Sequence, residues 1–293
     1  MAVVLESLAT LSVLVFVVTS MVAMGLNLTV GQILDPLRDL RLVGKALAAN
    51  FVLVPAAAYA ILLVVPLSEA QSVGVVLLAT AAGAPFLPKL VELSKGDVAF
   101  GVGLMVLLMV VTVVYVPVVL PLLLPGVQVN PLDIAGSLVT LMLLPLAAGL
   151  FVKARYEDAA DSWQPKASQI SSTALVFLVV LMLVLNFDTL VGVVGSGVLV
   201  ALVSLVAVSF VVGFLLGGPD ADTRSALALG TAQRNVSAAL VVGAANFEDP
   251  DVVVVLVVGA TLMGLLIVVA GEIGKRTERT EPTRMAEEAT YED

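Results

Sequence analysis

Two basic residues stand inside long apolar stretches. Lys89 lies in Ala81-Ala82-Gly83-Ala84-Pro85-Phe86-Leu87-Pro88-Lys89-Leu90, and Arg234 in Leu229-Gly230-Thr231-Ala232-Gln233-Arg234-Asn235-Val236-Ser237. A charge at that depth in a bilayer is costly and marks a functional position. Arginine presents a planar fork that suits bidentate carboxylate binding, whereas lysine acts as a point charge, so the chemistry on offer is anion recognition. Thr231, Gln233 and Asn235 flank Arg234, and Asn50 lies in another apolar stretch. Other chemistries are excluded. Cys and His both number 0, which removes thiolate or imidazole metal sites, disulfides and Cys or His catalysis. No acidic pair or metal cluster lies within the apolar segments, as a membrane-embedded enzyme would need, so the chain is read as a non-enzyme without a cofactor, sodium as a coupling ion aside.

The elements that position these residues are membrane spans. Of 293 residues, 60% are hydrophobic and 13% charged, with mean hydropathy +1.13. A soluble domain is about half apolar and a quarter charged. Apolar runs near 3–28, 42–67, 70–96, 98–124, 132–153, 167–187, 189–216, 224–247 and 251–273 predict nine transmembrane helices, because backbone groups cannot go unpaired in lipid. The first is read as an uncleaved helix, since no basic n-region precedes it. Arg38, Arg41, Lys45, Lys95, Lys153, Arg155, Lys166, Arg224, Lys275, Arg276, Arg279 and Arg284 all fall on one side. Glu69, Asp133, Asp188, Glu248, Asp249 and Asp251 fall on the other. The positive-inside rule then places the N-terminus outside and the C-terminus inside a cell membrane. Residues 1–273 form the membrane domain, and 274–293 read as a disordered charged cytoplasmic tail. The net charge of −9 argues against a nucleic-acid partner. The chain is expected to be a monomer or homodimer in the bilayer.

The third and eighth helices cannot be continuous. Pro85 and Pro88, preceded by Gly83, each lack a donor and clash with the preceding turn; Gly230 to Ser237 is a polar cluster in an apolar helix. At about 1.5 Å per residue, Lys89 lies roughly 12 Å from Asp97, and Arg234 roughly 16 Å from Thr223, near mid-depth for a core about 30 Å thick. Helices 1–4 and 6–9 run in opposite senses, each group with its interrupted helix third. Such an inverted repeat points to a transport site at the midplane, towards which the half-helices starting near Pro88 and Asn235 would direct their amides.

Four segments resemble the bile acid:sodium symporter family: Met24-Gly25-Leu26-Asn27-Leu28, Ala49-Asn50-Phe51-Val52-Leu53-Val54-Pro55, Lys95-Gly96-Asp97, and Gly230-Thr231-Ala232-Gln233-Arg234-Asn235. The resemblance implies an all-α fold in which helices 2–4 and 7–9 form a core with two crossing broken helices, and helices 1, 5 and 6 form a panel. It implies secondary transport of an organic anion by alternating access, with sodium as coupling ion. Aligned on Lys95-Gly96-Asp97, the family's first-site Ser-Asn pair falls on Leu87 and Pro88, its hydroxyl ligands on Gly101 and Met105, and its crossover glutamate on Leu229. Gln233 matches a second-site ligand, Asn50 stands where glutamine is usual, and the carbonyls of Gly230 and Ala232 could complete that site. The expected substrate contacts are Arg234, Lys89, Asn235, Asn50 and Thr231, with the two cations standing in for sodium and meeting a carboxylate. Two plainer readings stand beside this: Lys89 reaching the cytoplasmic surface to pair with Glu92, and Arg234 bonding carbonyls freed at the break. A sodium-independent or proton-linked carrier or exporter is the functional alternative. Thr80, Thr112, Tyr115, Ser204 and Thr261 are expected to bond backbone more often than line a cavity.

Overall fold

The computed structural model describes residues 2–124, 130–185 and 197–277, all helix and short connections, with no strand among them. The helices are α1 (Ala2–Asn27), α2 (Leu40–Val64), α3 (Glu69–Thr80), α4 (Leu87–Leu93), α5 (Val98–Leu123), α6 (Pro131–Arg155), α7 (Glu157–Leu185), α8 (Val198–Leu216), α9 (Ala221–Ala232), α10 (Val236–Asn246) and α11 (Pro250–Thr277). By length and composition α2, α5, α6, α8 and α11 can each cross a membrane; Leu11–Asn27 and α3 are shorter apolar helices. The surface requires the same solvent. Along α5, Val110, Val114, Val118 and Leu122 recur every fourth residue and are exposed, while Leu108, Met109, Thr112, Val116 and Leu120 on the other face are buried. An exposed stripe of Val and Leu on a helix long enough to cross a membrane suits lipid rather than water. The protein is a multi-pass membrane protein.

Some bounds differ from the hydropathy reading. α7 begins ten residues before the apolar run at 167, because Glu157 and Asp158 favour a helix's first turn and a charged helix is invisible to hydropathy. A capped turn at Val30–Leu34 occupies the expected first loop: Thr29 Oγ1 accepts from Gln32 N–H, and Gln32 Oε1 from Thr29 N–H. α11 extends to Thr277; the rest of the expected tail and residues 189–196 of the seventh expected helix lie outside the described residues.

α1 packs lengthwise on α6 and α7. Its closest approach is where Gly25 meets Gly149, and a Cβ on either would collide with the other helix's backbone. Around α3 and α9 the packing is different. α3 touches α2, α5, α10 and α11, and α9 touches α4, α5 and α8, so the two helices with interrupted continuations are surrounded by other helices. The Lys95-Gly96-Asp97 loop, which follows α4, fixes the start of α9. Lys95 has positive φ, a Cβ on Gly96 would press on Asp222 O and Ser225 Oγ, and Asp97 N–H donates to Asp222 O at 3.3 Å. Asp97 Oδ1 also accepts from Phe100 N–H, capping α5.

Candidate functional site

α3 stops at Thr80 and α9 at Ala232, and each stop strands main-chain carbonyls. The last carbonyls of a helix have no partner inside it, and buried ones must be paired from elsewhere. Beyond Thr80 the chain is extended at Ala81 and left-handed at Gly83, with φ +81°. A side chain at Gly83 would be strained and its Cβ would run into the Met109 backbone, so only glycine permits this turn. The prolines then prevent the helix from resuming before Leu87.

The second break supplies what the first lacks. Asn235 N–H donates to Ala81 O at 2.9 Å, and Asn235 Nδ2 donates to Gly83 O at 2.8 Å and Ala82 O at 3.3 Å. Its Oδ1 accepts from Ala238 N–H and so caps α10. Thr112 on α5 closes the other side: its hydroxyl accepts from Ala82 N–H at 2.9 Å and donates to Ala82 O at 3.0 Å.

Arg234 is wholly buried at the meeting point. Its Nε donates to Leu78 O at 3.0 Å. Nη1 donates to Asn50 Oδ1 at 2.7 Å and Thr231 O at 3.1 Å, and Nη2 to Ala79 O at 2.7 Å and Asn50 O at 3.4 Å. Leu78 and Ala79 end α3, and Thr231 ends α9. The Asn50 carbonyl has a separate origin. Pro55 has no N–H, and over Ala49–Leu53 the helix widens to a π-type turn in which Val54 N–H reaches back to Ala49 O. The carbonyls of Asn50 and Phe51 are thereby freed. Arg234 takes the first, and Tyr115 donates its hydroxyl to the second at 2.6 Å. Asn50 Nδ2 donates to Ala46 O and to Thr231 Oγ1.

Arg234, Asn235, Asn50 and Thr231 are therefore brought together, with Gly83 at the first break. Gln233 adjoins them, extended and largely buried, and its Oε1 has no hydrogen-bond donor. Ala232 is buried at the end of α9, and a Cβ on Gly230 would lie 3.0 Å from Leu87 Cδ2, so this glycine permits close packing. Pro85 belongs to the turn after Gly83 and Pro88 to the first turn of α4. Lys89 stands apart: its ammonium is exposed and pairs with Glu92 at 2.8 Å, on the face of α4 opposite the buried Leu87, Leu90 and Val91. Thr112 and Tyr115, expected to bond backbone, do so, on other segments rather than their own helix: Thr112 at Ala82 and Tyr115 at Phe51 O. Ser209 on α8 is buried with its hydroxyl unpartnered.

A sequence model of the sodium bile acid symporter family matches residues 13–193, from α1 into the stretch that precedes α8. The chain belongs to the sodium bile acid symporter family. The matched stretch contains Asn50 and the whole first break, so the carbonyls bound by Arg234 on α2 and α3 fall inside it, whereas Arg234 itself lies beyond it. No curated protein matches the chain. Membership identifies a transporter family, in keeping with a multi-pass membrane protein.

Proposed function

We propose that the protein is a secondary transporter that moves an organic anion, a carboxylate, across the cell membrane by alternating access. In this reading there are nine spans, N-terminus outside and C-terminus inside: α3 with α4 forms one interrupted span, and α9 with α10 the other. The spans before and after the central connection form an inverted repeat. α1, α6 and α7 are the panel, and the remaining helices are the core that shifts against it.

One observation carries the proposal: two interrupted apolar segments exchange buried hydrogen bonds through Asn235 and Arg234, between residues 152 to 156 apart in sequence. Irregular backbone at membrane depth is tolerated where it is enclosed by protein or lines a cavity, and paired broken helices mark the site in transporters of repeat architecture. A buried guanidinium without a carboxylate gives the cluster a positive potential, which favours an anionic solute. Since the five donors of Arg234 are committed, it acts on the solute through charge, while the Thr231 hydroxyl, which accepts from Asn50 Nδ2 and keeps its own proton to donate, is the polar group left to meet it.

The test is uptake by proteoliposomes of a labelled bile acid conjugate and a panel of smaller carboxylates, with chemical analysis of what accumulates. Accumulation of an unmodified anion above protein-free liposomes is expected. No accumulation for any member, with protein inserted in both orientations, refutes anion transport; a chemically altered product would indicate an enzyme.

A further inference from the structure

We infer that the Arg234 guanidinium is a resident cation, occupying the oxygen-lined position between the ends of α3 and α9 so that this junction is held without sodium. The family's name implies sodium, and a hard cation needs several oxygens that together replace its hydration shell. In transporters built from broken helices, those oxygens come from unwound carbonyls and half-helix C-terminal ends. Here the oxygens of that kind are Leu78 O, Ala79 O, Thr231 O and Asn50 O, joined by Asn50 Oδ1, and all five accept from Arg234. A guanidinium has five N–H donors, so the match is complete on both sides.

The charge balance agrees. No carboxylate pairs with Arg234 among the described residues; the ion pairs of Arg38, Lys89, Lys153, Lys275 and Arg276 all use exposed acids elsewhere. A helix C-terminus carries about half a negative charge, so the two that meet this guanidinium stabilise it in place of a carboxylate, while the N-terminus of α10, with about half a positive charge, opens at the same junction and leaves the cluster net positive. Among the described residues no group of three acidic side chains could hold a metal ion. Among the buried side-chain atoms of this cluster Gln233 Oε1 lacks a donor, but the five oxygens where the two helix ends meet are already taken by Arg234, and a sodium ion needs a shell of them. The residues present do not fit a sodium ion at this junction. The consequence, that transport does not depend on sodium here, rests on the proposed transporter function; the cation assignment does not.

The test therefore reads stability. The purified full-length protein is unfolded thermally in detergent, in sodium chloride and in choline chloride at equal ionic strength. Wild-type protein is expected to melt at the same temperature in both. A saturable rise specific to sodium, as a ligand of the folded state produces, overturns the inference. Arg234→Ala is expected to melt more than about 10 °C lower, because five buried oxygens lose their donors. Millimolar methylguanidinium, which fits the vacated position, should restore much of that loss in the variant and none in wild type. A folded Arg234→Ala protein that methylguanidinium leaves unchanged also overturns the inference. If Arg234→Ala yields no folded protein, the wild-type salt comparison decides alone. A sodium-insensitive protein that takes up no anion would retain the cation assignment and lose the transporter reading; sodium-specific stabilisation with anion uptake would do the reverse.

Discussion

Asn235 joins the two breaks through opposite ends of one amide, and the ends can be separated by substitution. Its Nδ2 is the donor for Gly83 O, while Ala82 O keeps the Thr112 hydroxyl if Asn235 is lost. Its Oδ1 caps α10 through Ala238 N–H. Serine is as good an N-cap as asparagine but has no donor that reaches Gly83. Asn235→Ser therefore removes only the link, leaving one buried carbonyl unpaired at a cost of about 1–3 kcal/mol. Asn235→Ala also removes the cap, worth about 1 kcal/mol more. At roughly 2–4 °C per kcal/mol for a chain somewhat smaller than this one, a loss near 2 kcal/mol lowers the melting temperature by about 4–8 °C for Asn235→Ser. Asn235→Ala should fall about 2–4 °C further. The assay is thermal unfolding of the purified variants in one detergent, followed by far-ultraviolet circular dichroism. A serine variant as stable as wild type would refute the idea that the amide donor holds the breaks together. Equal losses for serine and alanine would refute the capping role.

Three further outcomes follow from the same geometry. Gly83→Ala adds a Cβ both at positive φ and against the Met109 backbone, so it should lower the yield of monodisperse protein in size-exclusion chromatography severely, whereas Gly44→Ala, with open space around it, should not. Thr112→Val preserves shape but leaves Ala82 N–H without an acceptor, costing about 1–3 kcal/mol in thermal unfolding; Thr112→Ser should retain most of that. Lys89→Ala breaks an exposed ion pair with Glu92, so its effect on unfolding should stay under about 1 kcal/mol.

Much of this architecture was legible along the chain, because apolar runs and prolines act locally. Pro85, Pro88 and Gly83 signal the first break by type alone, and the polar run around Arg234 signals the second. What the chain does not carry is partnership. Nothing local reveals that Arg234 faces the ends of α3 and α9, because those carbonyls become free only when both helices stop and are set side by side. Depth counted at a fixed rise per residue treated Lys89 and Arg234 alike. Yet a helix has two faces: Lys89 points outward on α4, while Arg234 sits in an extended connection enclosed on every side. The wide turn in α2 was similarly concealed, since the withdrawal of a donor by Pro55 is visible but the helix's response depends on Tyr115 and Arg234 being there to accept the freed carbonyls' demand.

The attachment of Arg234 also has a timetable. Ala79 is synthesised 155 residues before the side chain that pairs its carbonyl. At about 5–20 residues per second, the ribosome takes roughly 8–31 s to cover that distance. Through that interval the end of α3 exists in a nascent chain without its permanent donor, in surroundings where an unpaired carbonyl is expensive. The early half must therefore wait in a wetter or more loosely assembled form than its final one. Its last step of maturation belongs to the arrival of the late half.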